Sequence, residues 1–195
     1  MMLTKRQALE KNFVGEASQI ITESLLGEIK KLAPANILVY LAFGNEVDTR
    51  EIINHFVKSG KKVYLPTYDN KTKTYVFSRF NGWDKLETGP HGILQPSLSS
   101  RHPEPGPEPF VPNSFRDLDS GSSISGSIDV AIIPGVAFDK KRVRLGYGKG
   151  VFDRLLVISK AYKIGLAYDF QIVDRITGEQ HDLVMDKVVT ESKVI

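Results

Sequence analysis

Apolar residues near the N-terminus recur three or four positions apart, which is the spacing of a helix with one buried face. Thr4 and Gln7 form a capping box at the start of this pattern, and Pro34 is expected to end it. Gly15 falls within the pattern, so we expect the helix to bend or break there. The predicted inner face consists of Phe13, Ala17, Ile20, Ile21, Leu25, Ile29 and Leu32.

Short apolar runs farther along the chain are typical of strands buried in a parallel sheet. They occupy residues 37–42, 62–65, 129–133 and 163–167. Residues 74–80 predict a further strand that is antiparallel or at a sheet edge. Helices are predicted at residues 151–159 and at residues 48–60, the latter with an inner face of Ile52, Ile53, Phe56 and Val57. This alternation predicts an α/β fold, a three-layer sandwich with a mostly parallel central sheet flanked by helices.

Residues 96–127 differ in composition from the rest of the chain, because Pro, Glu, Gly and Ser dominate much of this segment. Such a segment cannot bury enough apolar surface to offset the chain entropy that it would lose on ordering. We therefore predict a mobile loop, inserted into a single domain that covers residues 1–195.

The charge and cysteine content exclude several classes of function. The chain carries 26 basic and 23 acidic residues, and its formal net charge is only +3. Nucleic acid is not an expected partner, because binding to it normally needs a clustered basic face. The chain has no cysteine, which rules out disulfides and thiolate chemistry and fits a reducing compartment. No apolar run reaches the roughly 18 residues of a membrane span, so we expect a cytoplasmic protein without a membrane partner.

The loop at residues 134–150 follows a predicted parallel strand, at the edge of the sheet where α/β folds bind ligands. Its last part combines two cations with three glycines in the run Arg144-Leu145-Gly146-Tyr147-Gly148-Lys149-Gly150. Glycines let backbone N–H groups approach an anion, while the cations and the start of the next helix add positive charge. The combination suits a phosphate group, although glycine-rich turns before helices are also common without a ligand.

This loop does not match the two common phosphate motifs. A P-loop needs Ser or Thr after its lysine, but Gly150 follows Lys149, and a dinucleotide fingerprint needs a glycine where Val151 stands. Asp153 lies in the first turn of the following helix. There it could complement the helix dipole or bind a magnesium ion beside a nucleotide, and its position alone leaves both roles open.

A resemblance to one family is carried by residues 129–139, 144–150 and 153–155, of which the first read Asp129-Val130-Ala131-Ile132-Ile133-Pro134-Gly135-Val136-Ala137-Phe138-Asp139. Together they resemble the signature of the 5-formyltetrahydrofolate cyclo-ligases, also called methenyltetrahydrofolate synthetases. Flanking segments agree in order and spacing at residues 39–41, 45–49, 165–169, 171, 181–182 and 190–191. Agreement across so many elements is more specific than any single motif.

The resemblance implies an enzyme that uses ATP and Mg²⁺ to convert 5-formyltetrahydrofolate into 5,10-methenyltetrahydrofolate, with release of ADP and phosphate. It implies that Arg144 and Lys149 are catalytic and that Asp153 and Asp182 are the magnesium ligands. It implies ATP contacts from Lys5, Arg144, Gly146, Tyr147, Gly148, Lys149, Gly150 and Phe152. It implies folate contacts from Leu41, Glu46, Pro134, Gly135, Tyr147 and Phe152.

Four departures from the family pattern are visible, two of which are Arg142, at a position where a turn glycine is usual, and the Pro/Ser-rich insertion. The other two leave alternatives open: Val151 and Phe152 stand where many members have two tyrosines, and only Lys5 and Arg6 stand in for the family's longer basic N-terminal helix. The same fold could therefore belong to a sugar-phosphate isomerase-like enzyme or to an inactive nucleotide-binding relative. An isomerase would need no nucleotide, so the dependence of turnover on ATP separates these hypotheses. The expected partners are the folate and ATP, and the expected assembly is a monomer or a weak homodimer.

The composition of residues 96–127 predicts where a protease cuts first. Under limiting trypsin, the earliest cleavage is expected at Arg101 or Arg116, because proteases act on exposed mobile loops. Mass spectrometry of the first fragments gives the sites. Earliest cleavage inside the apolar strands would contradict the predicted organisation.

Overall fold

The computed structural model describes residues 2–98, 128–148, 150–156, 160–177 and 183–195. The helices among them are α1 (Met2–Gln7), α2 (Lys11–Lys30), α3 (Arg50–Lys58) and α4 (Val151–Leu156). The first strands are β1 (Asn36–Val39), β2 (Lys62–Asp69), β3 (Thr74–Arg79), β4 (Leu86–Thr88) and β5 (Leu94–Pro96). The later strands are β6 (Val130–Pro134), β7 (Ala137–Asp139), β8 (Arg144–Leu145), β9 (Tyr162–Leu166), β10 (Ile172–Val173) and β11 (Lys187–Val189).

A six-stranded sheet of order β11-β9-β6-β1-β2-β3 forms the middle of the fold. Its strands are parallel except β3, which pairs antiparallel with β2 at one edge. Smaller sheets of order β10-β7-β8 and β4-β5 lie beside it. The predicted α/β class, the mostly parallel sheet and the antiparallel edge strand are therefore confirmed.

The order of the parallel strands creates a crevice between β1 and β6. From β1 the chain passes through α3 to β2 on one side, whereas from β6 it passes through α4 to β9 on the other side. Neighbouring strands whose connections leave in opposite directions have free space at their carboxyl ends, and α/β proteins bind ligands there. The sheet topology thus fixes where a site can form before any side chain is considered.

The two faces of the sheet carry separate hydrophobic cores. In β1, Ile37 and Val39 pack against α2 and α3, while Leu38 points to the opposite face with Leu155 and Leu156 of α4. This alternation follows from the two-residue period of a strand. Each fully buried side chain of this size contributes roughly 1.5–3 kcal/mol. The second outer layer is completed by the small β10-β7-β8 sheet.

The N-terminal helix is broken, but not at Gly15 as we predicted. The break lies between Gln7 and Lys11, Thr4 lies inside α1 rather than at its cap, and Gly15 lies within α2. The side-chain amide of Asn45 donates hydrogen bonds to backbone carbonyls at this break. These carbonyls therefore accept from a residue outside the helix. The predicted inner faces were wrong in detail, because four members are exposed: Phe13, Ile20, Leu32 and Val57.

The segment from Pro134 to Gly150 was predicted as a loop, but it contains the β7-β8 hairpin. Asp139 closes the turn, where its Oδ1 accepts hydrogen bonds from the backbone N–H groups of Lys141 at 2.8 Å and Val143 at 2.9 Å. Arg142 has a left-handed backbone with φ of +67°, which explains why a glycine suits this position. Short strands of this kind lack the long apolar run that marks a central strand.

The predicted inserted loop at residues 96–127 starts too early by at least one residue. Pro96 belongs to β5 and pairs with Leu86, while residues 99–127 lie outside the described residues. The mobility of that segment stays a prediction. In the part of the chain that the structure describes, no helix has the length and apolar character needed to span a bilayer.

The ring of Phe138 fills the space between two glycines beneath the crevice. A Cβ atom placed on Gly135 or on Gly165 would lie 2.6 Å from a ring carbon of Phe138. Such a distance is well inside van der Waals contact, so both positions exclude larger residues. Gly135 directly follows the last residue of β6, so this packing lies next to the residue that lines the cavity, Pro134.

Gly165→Ala is expected to lower the free energy of unfolding by about 1–3 kcal/mol, because the new methyl group overpacks Phe138. Gly15→Ala is the matched control, since a Cβ there meets no atom within 4 Å. That control should raise the free energy of unfolding by about 0.5–1 kcal/mol, because glycine weakens a helix interior. Urea unfolding of both variants measures the difference, and equal stabilities would contradict the packing described.

Candidate functional site

A cavity of about 260 Å³ opens at the carboxyl ends of β1 and β6, at the crevice that the topology creates. Leu41 follows β1 and Pro134 ends β6, so the two strands form its inner wall. The outer wall comes from the segment around β4 and β5 and from the start of α4. The remaining lining residues are Tyr40, Phe43, Glu46, Pro66, Tyr75, Pro90, Ile93, Leu94, Gln95, Arg144, Tyr147, Gly150, Val151, Phe152 and Asp153.

Gln95 attaches the outer wall to the central sheet. Its Oε1 accepts from the backbone N–H of Tyr68 at 2.9 Å, and its Nε2 donates to the carbonyl of Tyr68 at 3.3 Å. The buried amide thus imitates a strand neighbour and joins β5 to β2. Gly89 leaves room for it, because a Cβ there would lie 2.4 Å from Gln95 Oε1.

Arg144 is a buried cation on the wall of the cavity, with only 5% of its surface exposed. Its Nη2 lies 2.6 Å from both carboxylate oxygens of Asp153, and its Nη1 donates to the carbonyl of Pro134 at 3.2 Å. The guanidinium carbon lies 6.0 Å from the ring centre of Phe152. Within the described residues, its buried Nε has no acceptor. A buried N–H donor without an acceptor is costly, so this guanidinium is held in place at some expense of stability.

The first glycine of the loop makes the position of this arginine possible. A Cβ on Gly146 would lie 2.8 Å from Nη1 of Arg144, so any larger residue would displace the guanidinium. Gly148 and Gly150 have φ values of +79° and +60°, in the left-handed region that glycine tolerates best. The glycines therefore serve the shape of the loop and the close approach of Arg144.

A second polar cluster stands on the other side of the cavity, formed by Glu46, Tyr147 and Arg6. The hydroxyl of Tyr147 donates to Glu46 Oε1 at 2.7 Å, and Arg6 Nη1 lies 3.5 Å from the same oxygen. Nη2 of Arg6 donates to the Tyr147 hydroxyl. Glu46 Oε2 accepts from the backbone N–H of Phe43 at 3.0 Å. Glu46 and Arg6 are both buried, so each compensates the charge of the other.

Burial and the negative charge of Glu46 raise the pKa of Tyr147 to about 12, against the opposing effect of Arg6. Tyr147 therefore stays a neutral hydrogen-bond donor throughout the physiological range. Tyr147 as a whole is 46% exposed and lines the cavity, so it is available to a ligand there. The arrangement holds the hydroxyl in place and leaves the residue partly exposed.

The predicted site residues fall into four groups. The cavity lining contains Leu41, Glu46, Pro134, Arg144, Tyr147, Gly150, Phe152 and Asp153. Gly135, Gly146 and Gly148 support this lining from adjacent positions in the chain, whereas Lys5 is exposed on α1. Lys149 and Asp182 lie outside the described residues.

Arg6, rather than Lys5, is the N-terminal cation that the structure places at the site. The two are neighbours in the sequence and lie on the same helix, and the contacts of Arg6 with Glu46 and Tyr147 come from distant parts of the chain. Pro90, Ile93 and Leu94 of the outer wall were also missed. They lie in a short irregular segment without periodicity, and its packing against β2 is a long-range contact that no local pattern reveals.

The described residues contain no group of three His, Cys, Asp or Glu side chains that could hold a metal ion. Asp153 is the one predicted metal ligand that the described residues include, and 30% of its side chain is exposed. Both of its oxygens contact Arg144. Besides complementing the helix dipole or binding magnesium, the two roles that its position left open, Asp153 thus has a third role, which is to hold Arg144 in place.

An open parallel sheet with a mostly apolar cavity at its switch point and a buried arginine beside a glycine loop defines an α/β protein that binds a small molecule with an anionic part. The chain belongs to the 5-formyltetrahydrofolate cyclo-ligase family, whose match covers residues 1–111 and 115–191. The resemblance found in the sequence is therefore confirmed.

Individual relatives match along nearly the whole chain. The 5-formyltetrahydrofolate cyclo-ligase of Escherichia coli K12 is 29% identical over 198 residues, covering 100% of this chain and 98% of that protein. The Haemophilus influenzae cyclo-ligase is 31% identical, covering 86% and 82%. The solved structure of Aquifex aeolicus 5,10-methenyltetrahydrofolate synthetase superposes with a TM-score of 0.75 at 27% identity, covering 99% of this chain and 87% of that one.

The raised pKa of Tyr147 predicts a loss of stability at alkaline pH. In the unfolded chain tyrosine ionises near its ordinary value of 10.0, whereas in the folded chain Tyr147 ionises near 12. The contribution of Tyr147 to the free energy of unfolding is therefore complete below pH 10 and is lost as the pH rises toward 12. Wild type should lose more unfolding free energy across this window than Tyr147→Phe, as measured by urea unfolding at each pH. Parallel curves for the two proteins would contradict the assignment.

Proposed function

We propose that this chain catalyses the ATP-dependent conversion of 5-formyltetrahydrofolate into 5,10-methenyltetrahydrofolate, with release of ADP and phosphate. Family membership supports the reaction. The structural observation that carries it is the buried guanidinium of Arg144, held beside the glycine loop on the wall of a cavity lined mainly by apolar residues. That combination suits a ligand pair with one flat apolar part and one phosphate part.

The reaction needs ATP because the formyl oxygen is a poor leaving group. In the first step this oxygen attacks the γ-phosphorus of ATP, the bond to the bridging oxygen breaks, and ADP leaves. In the second step the neighbouring folate amine attacks the formyl carbon and loses its proton. The carbon–oxygen bond then breaks, and phosphate carries the former formyl oxygen away. Such transfers depend mainly on positioning and on stabilising developing negative charge.

Arg144 is suited to stabilise the transferring phosphoryl group. A guanidinium has five N–H donors, and Asp153 and Pro134 occupy only its Nη2 and Nη1 atoms. Nη1 and Nη2 each carry two N–H bonds, so the guanidinium keeps donors that a phosphate oxygen in the cavity can accept. Asp153 keeps the buried charge compensated until the anion arrives. We propose Lys149 as the second catalytic cation on the same loop.

The apolar part of the cavity is suited to the pterin ring of the folate. Phe152 and Tyr147 offer ring faces, and Leu41 and Pro134 form the wall opposite. Phe152 keeps the stacking surface of the tyrosine usual in the family, so losing that hydroxyl removes one hydrogen bond at most, worth about 0.5–1.5 kcal/mol. Glu46 and Gly135 complete the proposed folate contacts. An isomerase acting on sugar phosphates is not favoured, because a sugar needs many more polar partners than this lining offers.

The proposed nucleotide contacts follow the glycine loop and the start of α4, and they share Tyr147 and Phe152 with the folate. They are Arg144, Gly146, Tyr147, Gly148, Lys149, Gly150 and Phe152, to which the sequence added Lys5. Since Lys5 is exposed and Arg6 is buried against Glu46 and Tyr147, Arg6 is the better candidate for the N-terminal cation. This geometry favours a shift of the proposed contact by one residue along α1.

Magnesium is usually held by one or two carboxylates together with substrate phosphates and waters. Asp153 fits that requirement because its partly exposed carboxylate lines the cavity. We propose Asp153 and Asp182 as the ligands, the latter outside the described residues. When bound, the ion would neutralise charge on the ATP phosphates.

We also propose that the protein acts in the cytoplasm, as a monomer or weak homodimer. The absence of cysteine from the sequence fits a reducing compartment. Sedimentation across a concentration series distinguishes the two assemblies, since a weak dimer dissociates on dilution.

Purified protein should form the methenyl chromophore from 5-formyltetrahydrofolate only when ATP and magnesium are both present. In this assay, replacing Arg144 or Lys149 by Ala is expected to lower kcat roughly a hundredfold or more, because each change removes a charged contact to the transferring group. Turnover of the wild type without ATP would disprove the proposed reaction. Full turnover of either variant would disprove only the role of that residue.

Lys140→Ala is the matched control for the loss of a cation. Lys140 lies on the β7-β8 turn, and its ion pair with Asp174 is highly exposed, so its removal should leave kcat unchanged. Thermal unfolding of each variant separates lost chemistry from lost folding. Arg144→Lys should recover less than a tenth of the wild-type kcat, because one ammonium nitrogen cannot take both the place of Nη2 against Asp153 and the place of Nη1 against the Pro134 carbonyl.

A further inference from the structure

Helix α1 cannot hold its own position on the protein. It spans six residues, and helices shorter than about 12–15 residues are marginal in water without tertiary support. Helix α1 also ends at Gln7 and α2 begins only at Lys11, so beyond the single turn closed by the N–H groups of Ala8 and Leu9 the helix has no backbone continuation that would hold it in place. The position of Arg6 in the site therefore depends on contacts made from outside α1.

The side chain of Asn45 supplies those contacts. Its Nδ2 donates to the carbonyls of Arg6 at 3.1 Å, Gln7 at 3.3 Å and Leu9 at 3.0 Å. The orientation of the amide follows from chemistry, since the opposite orientation would place its oxygen against three acceptors. One amide thus fastens the end of α1 and the connection to α2.

The loop that carries Asn45 is itself rigid. The buried hydroxyl of Tyr40 donates to the carbonyl of Val47 at 2.8 Å, and Thr49 Oγ1 donates to the carbonyl of Tyr40 at 2.7 Å. Asn45 and Glu46 are neighbours on this loop. Asn45 therefore holds the backbone of Arg6 while Glu46 pairs with its guanidinium, so the loop fixes both ends of the same residue.

We infer that Asn45 is a positioning residue for the active site and acts through Arg6, by keeping α1 docked so that the guanidinium stays against Glu46 and Tyr147. The inference rests on the proposed function, in which the Arg6, Glu46 and Tyr147 cluster contacts the substrates. Asn45 itself does not line the cavity, so its effect on turnover has to pass through the residues that it holds.

A double-mutant cycle of Asn45→Ala and Arg6→Ala tests this inference. Asn45→Ala alone should lower kcat/KM for ATP roughly fivefold to tenfold, as expected when several hydrogen bonds that dock α1 are lost. In the Arg6→Ala background the same change should have less than a twofold effect, because the residue through which it acts is gone. Asn45→Asp should be at least as harmful as Asn45→Ala, since a carboxylate cannot donate to the three carbonyls.

Gln7→Ala is the matched control, because this exposed side chain lies on α1 while only its backbone carbonyl meets Asn45. It should leave kcat/KM at the wild-type value. Equal losses from Asn45→Ala in both backgrounds would overturn the inference, as would wild-type kinetics in Asn45→Ala or Arg6→Ala. A purely structural role would lower the melting temperature without the dependence on Arg6. Failure of the proposed function has a different signature, since wild type would then not turn over with ATP.

Discussion

A buried guanidinium needs a negatively charged partner and several hydrogen-bond acceptors. The way in which the protein supplies these partners to Arg144 fixes the architecture of the whole site. Its partners come from the end of β6, through the carbonyl of Pro134, and from the first turn of α4, through Asp153. Arg144 itself belongs to β8. One side chain therefore fixes a strand of the central sheet, a strand of the outer sheet and a helix relative to one another, at the crevice where the cavity opens.

The glycines of the fold follow from the same constraint. Gly146 is small because the guanidinium of Arg144 lies against it, and Gly135 and Gly165 are small because Phe138 fills the layer below. Phe138 belongs to β7, the partner of β8, so the position of Arg144 depends on how closely β7 approaches the central sheet. A loose fit at Phe138 would move the arginine away from the cavity wall. Packing in the core and chemistry at the site are thus two parts of one geometric requirement.

The sequence predicted what short-range patterns encode. Apolar runs such as Val130 to Ile133 indicate the central strands, and the glycine loop is recognisable from its composition. The break after α1 could not be predicted from local pattern, and Asn45, whose amide meets the carbonyls at the break, lies 36 to 39 positions away from them. The preference for Lys5 over Arg6 failed because the partners of Arg6 are also distant in sequence. The β7-β8 hairpin escaped prediction since Arg144, a charged residue, occupies a buried strand position.

The two polar clusters of the cavity share a property that bears on how it accepts a polyanion. Arg144 is paired with Asp153, and Arg6 is paired with Glu46. Within the described residues, each cation at the site is thus already neutralised by a carboxylate, and the net charge of the chain is only +3. Long-range attraction of ATP is therefore weak, and affinity has to come from short-range contacts. Donors left over at Arg144, backbone N–H groups of the glycine loop and a cation that accompanies the phosphates are the groups that can supply it. Because each arginine is already paired with a carboxylate, the buried charges are compensated in the absence of ligand. A phosphate that replaces the carboxylate, or binds the arginine beside it, meets N–H donors that are already in position.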